Sequence, residues 1–463
     1  MAGNAGNIVG DLVSNPLEQL LSSIRNSPML RLLWVGFLTL LLQIPIFMIG
    51  GLVSERQERR DTAVSEVSSK WGNDQALTGP ALVVPYTYRW LQPQDKGEPI
   101  SRSETRHVIF LPEQLRIHGT LDSEVRARGI FSIPVYNLRL TVEGEFTRPD
   151  LSSLNIDPAD VLWDGAHLSL GISDARAIQE ETAVSWNGRS VPFSPGTHAF
   201  TDVSTGIHAM VGLPAGAQRL AFSFPLALNG SHGVSLTPFG QTTVVELKSN
   251  YGDPSFQGNW LPTKRTVSDS GFEAEWSIPY LGRNYAQAWG GEVSMHEAID
   301  ASRFGVDLVN PVDHYRMASR SVKYAGLYIL LTFATVWLIE VLSRVRVHPI
   351  QYVLLGGALC LFFLLELSLS EHLGFPVAYA LASLLVIVMI GAYCWVVLQR
   401  LGRALIVGMG VTLLYLYLYI LLMNEDYALL IGSLGLFVIL AAIMYATRRV
   451  DWYAAGSRPT ESV

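Results

Sequence analysis

Apolar and polar positions fall into two textures along this chain. From Arg320 to about Thr447, five long apolar runs follow one another with hardly a pause. A bilayer core about 30 Å thick takes roughly 20 mostly apolar residues to cross as a helix. The runs therefore predict membrane helices over 325–342, 349–369, 374–398, 404–423 and 427–446. Soluble helices do not come as five successive runs of this length. A sixth run covers 32–53, and no small-residue cleavage site follows it, only SERQERR. It reads as an uncleaved signal anchor. Gln43 and Pro45 interrupt it. A proline inside a membrane needs neighbours to satisfy the carbonyl it frees, so this helix is expected to pack against the other five.

Between the first span and the rest, the texture changes. From Thr78 to about Ile278, short stretches such as HVIFLP, FSIPVYNLRLTVEGEF, RLAFSFPLALNG and TTVVELKS alternate apolar with polar residues between Gly, Pro and Asn. This is the pattern of half-buried antiparallel strands, most economically a sandwich. RLTVEGEF (139–146) and SFQGNWLP (255–262) each end a strand-rich block, which raises a two-fold repeat as an alternative. Residues 54–76 read as a charged helix leaving the membrane and docking on this domain through Val64, Val67 and Trp71. VDHYRMASRSVKY (312–324) begins a helix that runs into the second span. Near the start, Asn15 offers an N-cap and Pro16 a first helical residue. Leu17, Leu20, Leu21 and Ile24 then make one face of a short amphipathic helix. The expected fold is a mixed α+β membrane protein. It has a cytoplasmic 1–31, a span at 32–53, a β-rich extracytoplasmic domain over 54–324, five spans over 325–446 and a tail over 447–463.

Composition agrees with membrane residence. Charged residues make up 16% of the chain, against about 25% for ordinary globular chains. The net charge of −7 argues against a nucleic-acid partner, which calls for a basic patch. The cysteines, Cys360 and Cys394, both lie in predicted spans, so the β-domain has no disulfide framework. Charge placement sets an orientation. Arg344 and Arg346 follow the second span, Arg400 and Arg403 the fourth, and Arg448 and Arg449 the sixth, whereas SLSEHLG and NEDY carry no Lys or Arg. The positive-inside rule puts the Arg-bearing loops and both termini in the cytoplasm, and the β-domain outside. Arg56, Arg59 and Arg60 lie on the outer side of the first span, against Arg25 and Arg31 inside, but long translocated domains escape the count.

Ionisable residues in spans are costly and tend to face a bundle interior or an aqueous cavity. Glu366, Glu371 and His372 end the third span, and Glu425 and Asp426 open the sixth on the same outer side. They are the candidate cluster, read as a cation or proton site or as a coupling contact with the β-domain. The plainer reading is solvated loop acids, with Glu366 bonded to a neighbouring helix. Glu340 and Arg344 are spaced for a salt bridge, and Gly356, Gly357, Gly432 and Gly435 for close helix approach. Tyr415, Tyr417 and Tyr419 fall on differing faces, as packing residues do. No G-x-S-x-G, no S-x-x-K with partner motifs, no H-E-x-x-H and no phosphate loop occurs. His118, His167, His198, His208 and His232 lack ligand spacing. No catalytic residue, cofactor or metal is therefore expected. Aromatics in WLQP (90–93), SNYGDPSF (249–256) and GNWLP (258–262) mark a possible surface for a periplasmic protein or an envelope glycan, beside the bilayer itself.

Longer strings carry a resemblance. RSVKYAGLYILLTF (320–333), HPIQYVLLGGALCLFFLLELSLSEH (348–372), EDYALLIGSLGLF (425–437) and TRRVDWY (447–453) are similar to the CreD family of bacterial inner-membrane proteins. So are QALTGPALVVPY (75–86), ARGIFSIPVY (127–136), SFQGNWLP (255–262), GFEAEW (271–276) and FGVDLVNPVDHY (304–315). One departure is that YGDPSFQG stands where a Trp-Pro-His-Pro-like string would precede SFQGNWLP. The resemblance implies a role in cell-envelope integrity within the regulon of the Cre two-component system, with altered tolerance to colicins and β-lactams. It implies a place and a process, not a chemistry. Two readings follow: a periplasmic binding module anchored by the bundle, or a transporter, flippase or channel component. A polar cavity between spans, lined by Glu366 and reaching mid-bilayer, would favour transport.

Overall fold

The computed structural model describes residues 28–448, apart from 95–98, 201, 214–215, 217, 309–312 and 344–346. The amphipathic segment expected at 15–24, and Arg344, Arg346 and Arg449, lie outside the described residues. The chain forms two compact units, Met1–Arg59 with Val312–Val463, and Arg60–Pro311. Its helices are α1 (Pro28–Leu41), α2 (Gln43–Trp71), α3 (His296–Ala301), α4 (His314–Ser343), α5 (Pro349–Leu373), α6 (Phe375–Leu398), α7 (Leu401–Met423) and α8 (Ala428–Thr447).

Among the described residues, six helices are long and apolar enough to cross a membrane: Leu33–Trp71, His314–Val341, Pro349–Leu373, Phe375–Leu398, Leu401–Met423 and Ala428–Tyr445. The first five share a core that includes Val35, Leu38, Phe333, Phe362, Val386 and Val407, and Ala428–Tyr445 adds no residue to it. Apolar side chains such as Phe47, Val396 and Leu429 point away from that core and are exposed. Such faces suit hydrocarbon and not water. Local chemistry sets the helix ends. Pro45 removes an N–H donor and crowds the carbonyl of Leu41, and the helix breaks there, between α1 and α2. The Gln43 amide donates to the Thr39 carbonyl at 3.1 Å beside the break. His348, Pro349 and Gln351 form a capping box at the start of α5. Gly374, with φ 75°, turns α5 directly into α6. A side chain at Gly356 would run into Leu42 and one at Gly435 into Tyr417, whereas Gly357 faces open space.

The other unit holds two sheets around one core. Among the described residues, the main path of the first runs Pro254–Gly258, Phe304–Leu308, Gly233–Leu236, Gln75–Gln92, His167–Ile172, Gly206–Met210 and Ser194–Pro195. Ile100–Phe110 pairs with Gln75–Gln92 and with Ala288–Gly290. The second sheet runs Lys264–Ser268, Gly271–Pro279, Thr242–Ser249, Gln114–Arg128, Phe131–Thr147, Arg219–Ser231, Ala183–Trp186 and Arg189–Pro192. Alternation is clean where one face is covered. Phe272, Ala274, Trp276 and Ile278 are buried, while Glu273 and Ser277 between them are exposed. RLTVEGEF lies inside one sheet and SFQGNWLP starts on the edge strand of the other, so the two passages are not equivalent halves of a repeat.

The sheets exchange chain at His232, whose φ of 63° ends Arg219–Ser231 and starts Gly233–Leu236. Tyr136, fully buried, donates its hydroxyl to the Gly233 carbonyl across that junction. Gly230 leaves room for the Tyr136 ring, because a Cβ there would sit 2.3 Å from ring atoms. The end of α2 docks beside it. Val64, Val67 and Trp71 pack on Phe131, Ile133 and Val135, and the Trp71 indole donates to the Tyr136 carbonyl at 3.3 Å.

Candidate functional site

The candidate acids of the membrane unit are organised by the first two turns of α4. These turns carry Tyr315, Arg316, Arg320 and Ser321, and the helix begins well before its apolar run. Each of the four faces an acid. Ser321 donates to Glu366 Oε2 at 2.7 Å, and Glu366 is wholly buried. Its Oε1 is buried with no hydrogen-bond partner. Tyr315 donates to Glu371 Oε1 at 2.9 Å, and Arg56 of α2 comes within 3.8 Å of the same oxygen. Arg320 is 3.6 Å and Arg316 3.8 Å from Glu425 Oε2.

Arg320 also donates to the carbonyls of Leu421 and Leu422, at 3.3 and 3.2 Å. These belong to the last turn of α7, where carbonyls lack helical partners and the helix dipole favours a cation. The side chain thus caps one helix and neutralises the acid that follows it. His372 and Asp426 are exposed and are not drawn into these pairs. This end of the bundle therefore carries a mixed set of charges, Arg56, Arg316 and Arg320 with Glu371 and Glu425. Sequence reasoning noted Arg56 only as a charge flanking the first span and did not pair Arg316 and Arg320 with these acids, because they lie on a helix far from them in the chain. Arg320→Ala should lower the thermal stability of the detergent-purified chain by about 1–2 kcal/mol, from a lost cap and ion pair. An unchanged melting temperature would remove the capping role.

At the opposite end, Glu340 is buried and accepts from the Val347 N–H at 3.2 Å and the Tyr352 hydroxyl at 3.0 Å. Arg403 reaches the Leu398 carbonyl at the end of α6, at 3.5 Å. Arg448 stacks over Tyr445, with the guanidinium carbon 3.8 Å from the ring centre. Arg400 is exposed just before α7. Tyr379 donates to the Tyr415 carbonyl and Tyr417 to the Ile431 carbonyl, each at 2.6 Å, tying α6 to α7 and α7 to α8. A cavity of about 620 Å³ lies between α4, α7 and α8. It is lined chiefly by apolar side chains such as Leu331, Leu338, Leu413, Leu434 and Val438, and Glu366 is not among its lining residues.

In the β-unit, the outer face of the second sheet is a ladder of opposed charges. Lys264 pairs with Glu275 at 2.9 Å, Lys248 with Glu273 at 3.0 Å, and His118 stands 3.3 Å from Glu246. A cleft of about 530 Å³ opens on this face, lined by His118, Arg139, Glu181, Glu246 and Lys248 among others. The aromatics singled out from the sequence mostly serve packing. Tyr251, Phe256 and Trp260 lean on the core, and Phe256 meets Trp276 and Phe272 edge-on.

Six apolar helices, with a two-sheet β-unit inserted after the first, define a polytopic membrane protein of mixed α and β structure. A family model described as "Inner membrane protein CreD" matches residues 27–453. Inner membrane protein CreD of Escherichia coli (strain K12) is 35% identical over 419 residues, covering 90% of this chain and 91% of that protein. The chain belongs to the CreD family, and is an inner membrane protein.

Proposed function

We propose that the membrane unit anchors the β-unit in the periplasm, where the β-unit binds an envelope protein and so supports cell-envelope integrity and the response to envelope stress. The observation that carries this is the burial of Glu366. It sits against Ser321 and does not line the cavity between α4, α7 and α8, whose walls are chiefly apolar. A transport path for a cation or polar solute needs groups that water can reach, so the bundle fits an anchor better than a conduit. This orientation rests on the positive-inside rule, which makes the ends bearing Arg400, Arg403 and Arg448 cytoplasmic.

The charged cleft is the favoured contact. Its paired Lys, Arg and Glu side chains suit a protein surface of mixed charge, whose polar groups can exchange partners with them. A glycan would look for exposed aromatic platforms, and most of the candidates here are spent on the core. A photoreactive residue at Thr141 or Lys248 in the native membrane should give a light-dependent adduct that the same probe at Val267 does not. Absence of adducts from both cleft positions would reject the cleft as the contact.

A further inference from the structure

Four histidines from separate segments meet on the first sheet. His107 lies on Ile100–Phe110, His167 on His167–Ile172 and His208 on Gly206–Met210, and His198 belongs to the loop before the last of these. Register puts the first three on one face. His107 sits opposite Pro85, and His167 opposite Val83, two residues along the same strand. On the other flank, His167 sits opposite Met210, two residues from His208. Side chains two apart on a strand point the same way. His198 joins them from a left-handed backbone position, φ 47°.

The ring centres of His167 and His198 are 4.8 Å apart, those of His198 and His208 5.2 Å, and those of His167 and His208 5.9 Å. His107 is farther, 6.4 Å from His167. Three imidazoles on one tetrahedral ion, with metal–nitrogen bonds of about 2.0–2.1 Å, place their ring centres about 5 Å apart. Two of the rings are already oriented. His167 Nδ1 is 3.2 Å from the Gly165 carbonyl and His208 Nδ1 is 2.8 Å from the Gly196 carbonyl. A carbonyl only accepts, so both Nδ1 atoms carry a proton, and in this tautomer it is Nε2 that offers the lone pair. Proteins fix metal-binding imidazoles by this same backbone contact. His167 is 1% exposed, and its Nε2 is buried without a hydrogen-bond partner.

We propose that His167, His198 and His208 bind one divalent transition-metal ion of the imidazole-preferring kind, Zn²⁺ or Cu²⁺, through their Nε2 atoms. An all-nitrogen set suits these ions and not Mg²⁺ or Ca²⁺, which take oxygen ligands. Among the described residues, no group of three or more His, Cys, Asp or Glu side chains is placed to hold a metal ion as it stands. His198 closes this one: its side chain is exposed on a loop and turns about its own torsions, while the other two rings are held.

The test uses the full-length chain in detergent, stripped with a chelator and titrated with ZnCl₂ against a chromophoric competitor. One Zn²⁺ per chain is expected, with no competition from excess MgCl₂. His198→Ala and His208→Ala should each weaken binding about tenfold or more, while His118→Ala, on the other sheet, should leave it unchanged. Co²⁺ in place of Zn²⁺ should give the visible bands of a tetrahedral nitrogen site, and these should vanish in His198→Ala. Because His198 is exposed, that variant keeps the fold. Zinc uptake below one ion per two chains in the unsubstituted protein, or wild-type affinity in both His198→Ala and His208→Ala, would overturn the proposal.

Discussion

Ser321→Ala is expected to destabilise the membrane unit by about 1–3 kcal/mol, and Glu366→Leu to leave it as stable as the unsubstituted chain or more so. The asymmetry follows from which group is left behind. In the alanine variant, Glu366 keeps its buried carboxyl but loses the hydroxyl that meets Oε2, and Oε1 has no partner to begin with. A buried polar group without partners costs about that much, and more if it is charged. In the leucine variant the polar group itself is gone, and an apolar side chain of similar size fills the site at little cost. Melting in detergent micelles reads the stability difference. The same pair tests function. An anchor needs the fold and not the carboxyl, so cells carrying Glu366→Leu should keep their tolerance to envelope stress at equal protein level. Loss of tolerance in Glu366→Leu, with protein level and stability unchanged, would reject the anchor reading and favour a proton or cation step through the bundle.

Tyr136→Ala should cost the β-unit about 3–5 kcal/mol, and Tyr136→Phe about 1 kcal/mol. The ring is fully buried at the point where the chain leaves one sheet for the other, and it lies against Gly230. Deleting it opens a cavity between strands of different sheets, which cannot close without moving both. Phenylalanine keeps that volume and gives up only the hydroxyl bond to the Gly233 carbonyl. The same junction holds the end of α2 through Trp71. Hydrogen exchange of the peptide covering 131–147, in the full chain, should therefore speed up far more in the alanine variant. Equal exchange in the two variants would show that the ring is not what holds the junction.

The membrane helices were legible because about 20 consecutive apolar residues need no tertiary information to be recognised. Strand texture was legible for the same local reason. Strand order was not. Gln75–Leu77 runs parallel to Val234–Leu236, and Gln114–Leu121 parallel to Thr242–Ser249. Parallel neighbours of this kind are distant in the chain and leave no short-range signal. The candidate site divides along the same line. Glu366 stood out because a carboxyl in an apolar run is conspicuous, but its partner Ser321 is an ordinary residue 45 positions away. Arg316 and Arg320 were visible as charges, yet nothing local paired them with Glu425. The histidines 167, 198 and 208 have no ligand spacing because register, not sequence distance, brings them to one face.

The division of the chain also has a consequence in time. The membrane unit is assembled from two segments with roughly 250 residues of β-unit between them. Val35, Leu38, Leu42 and Ile46 belong to a core whose other members lie beyond residue 314. At about 5–20 residues per second, the first span waits for its partners for roughly ten seconds to a minute. During that interval its proline break and Gln43 lie in lipid without the helices that later cover them. Synthesis of this protein therefore includes a stage in which one incomplete helix holds the nascent chain in the membrane. The bundle can close only after the whole β-unit has been made.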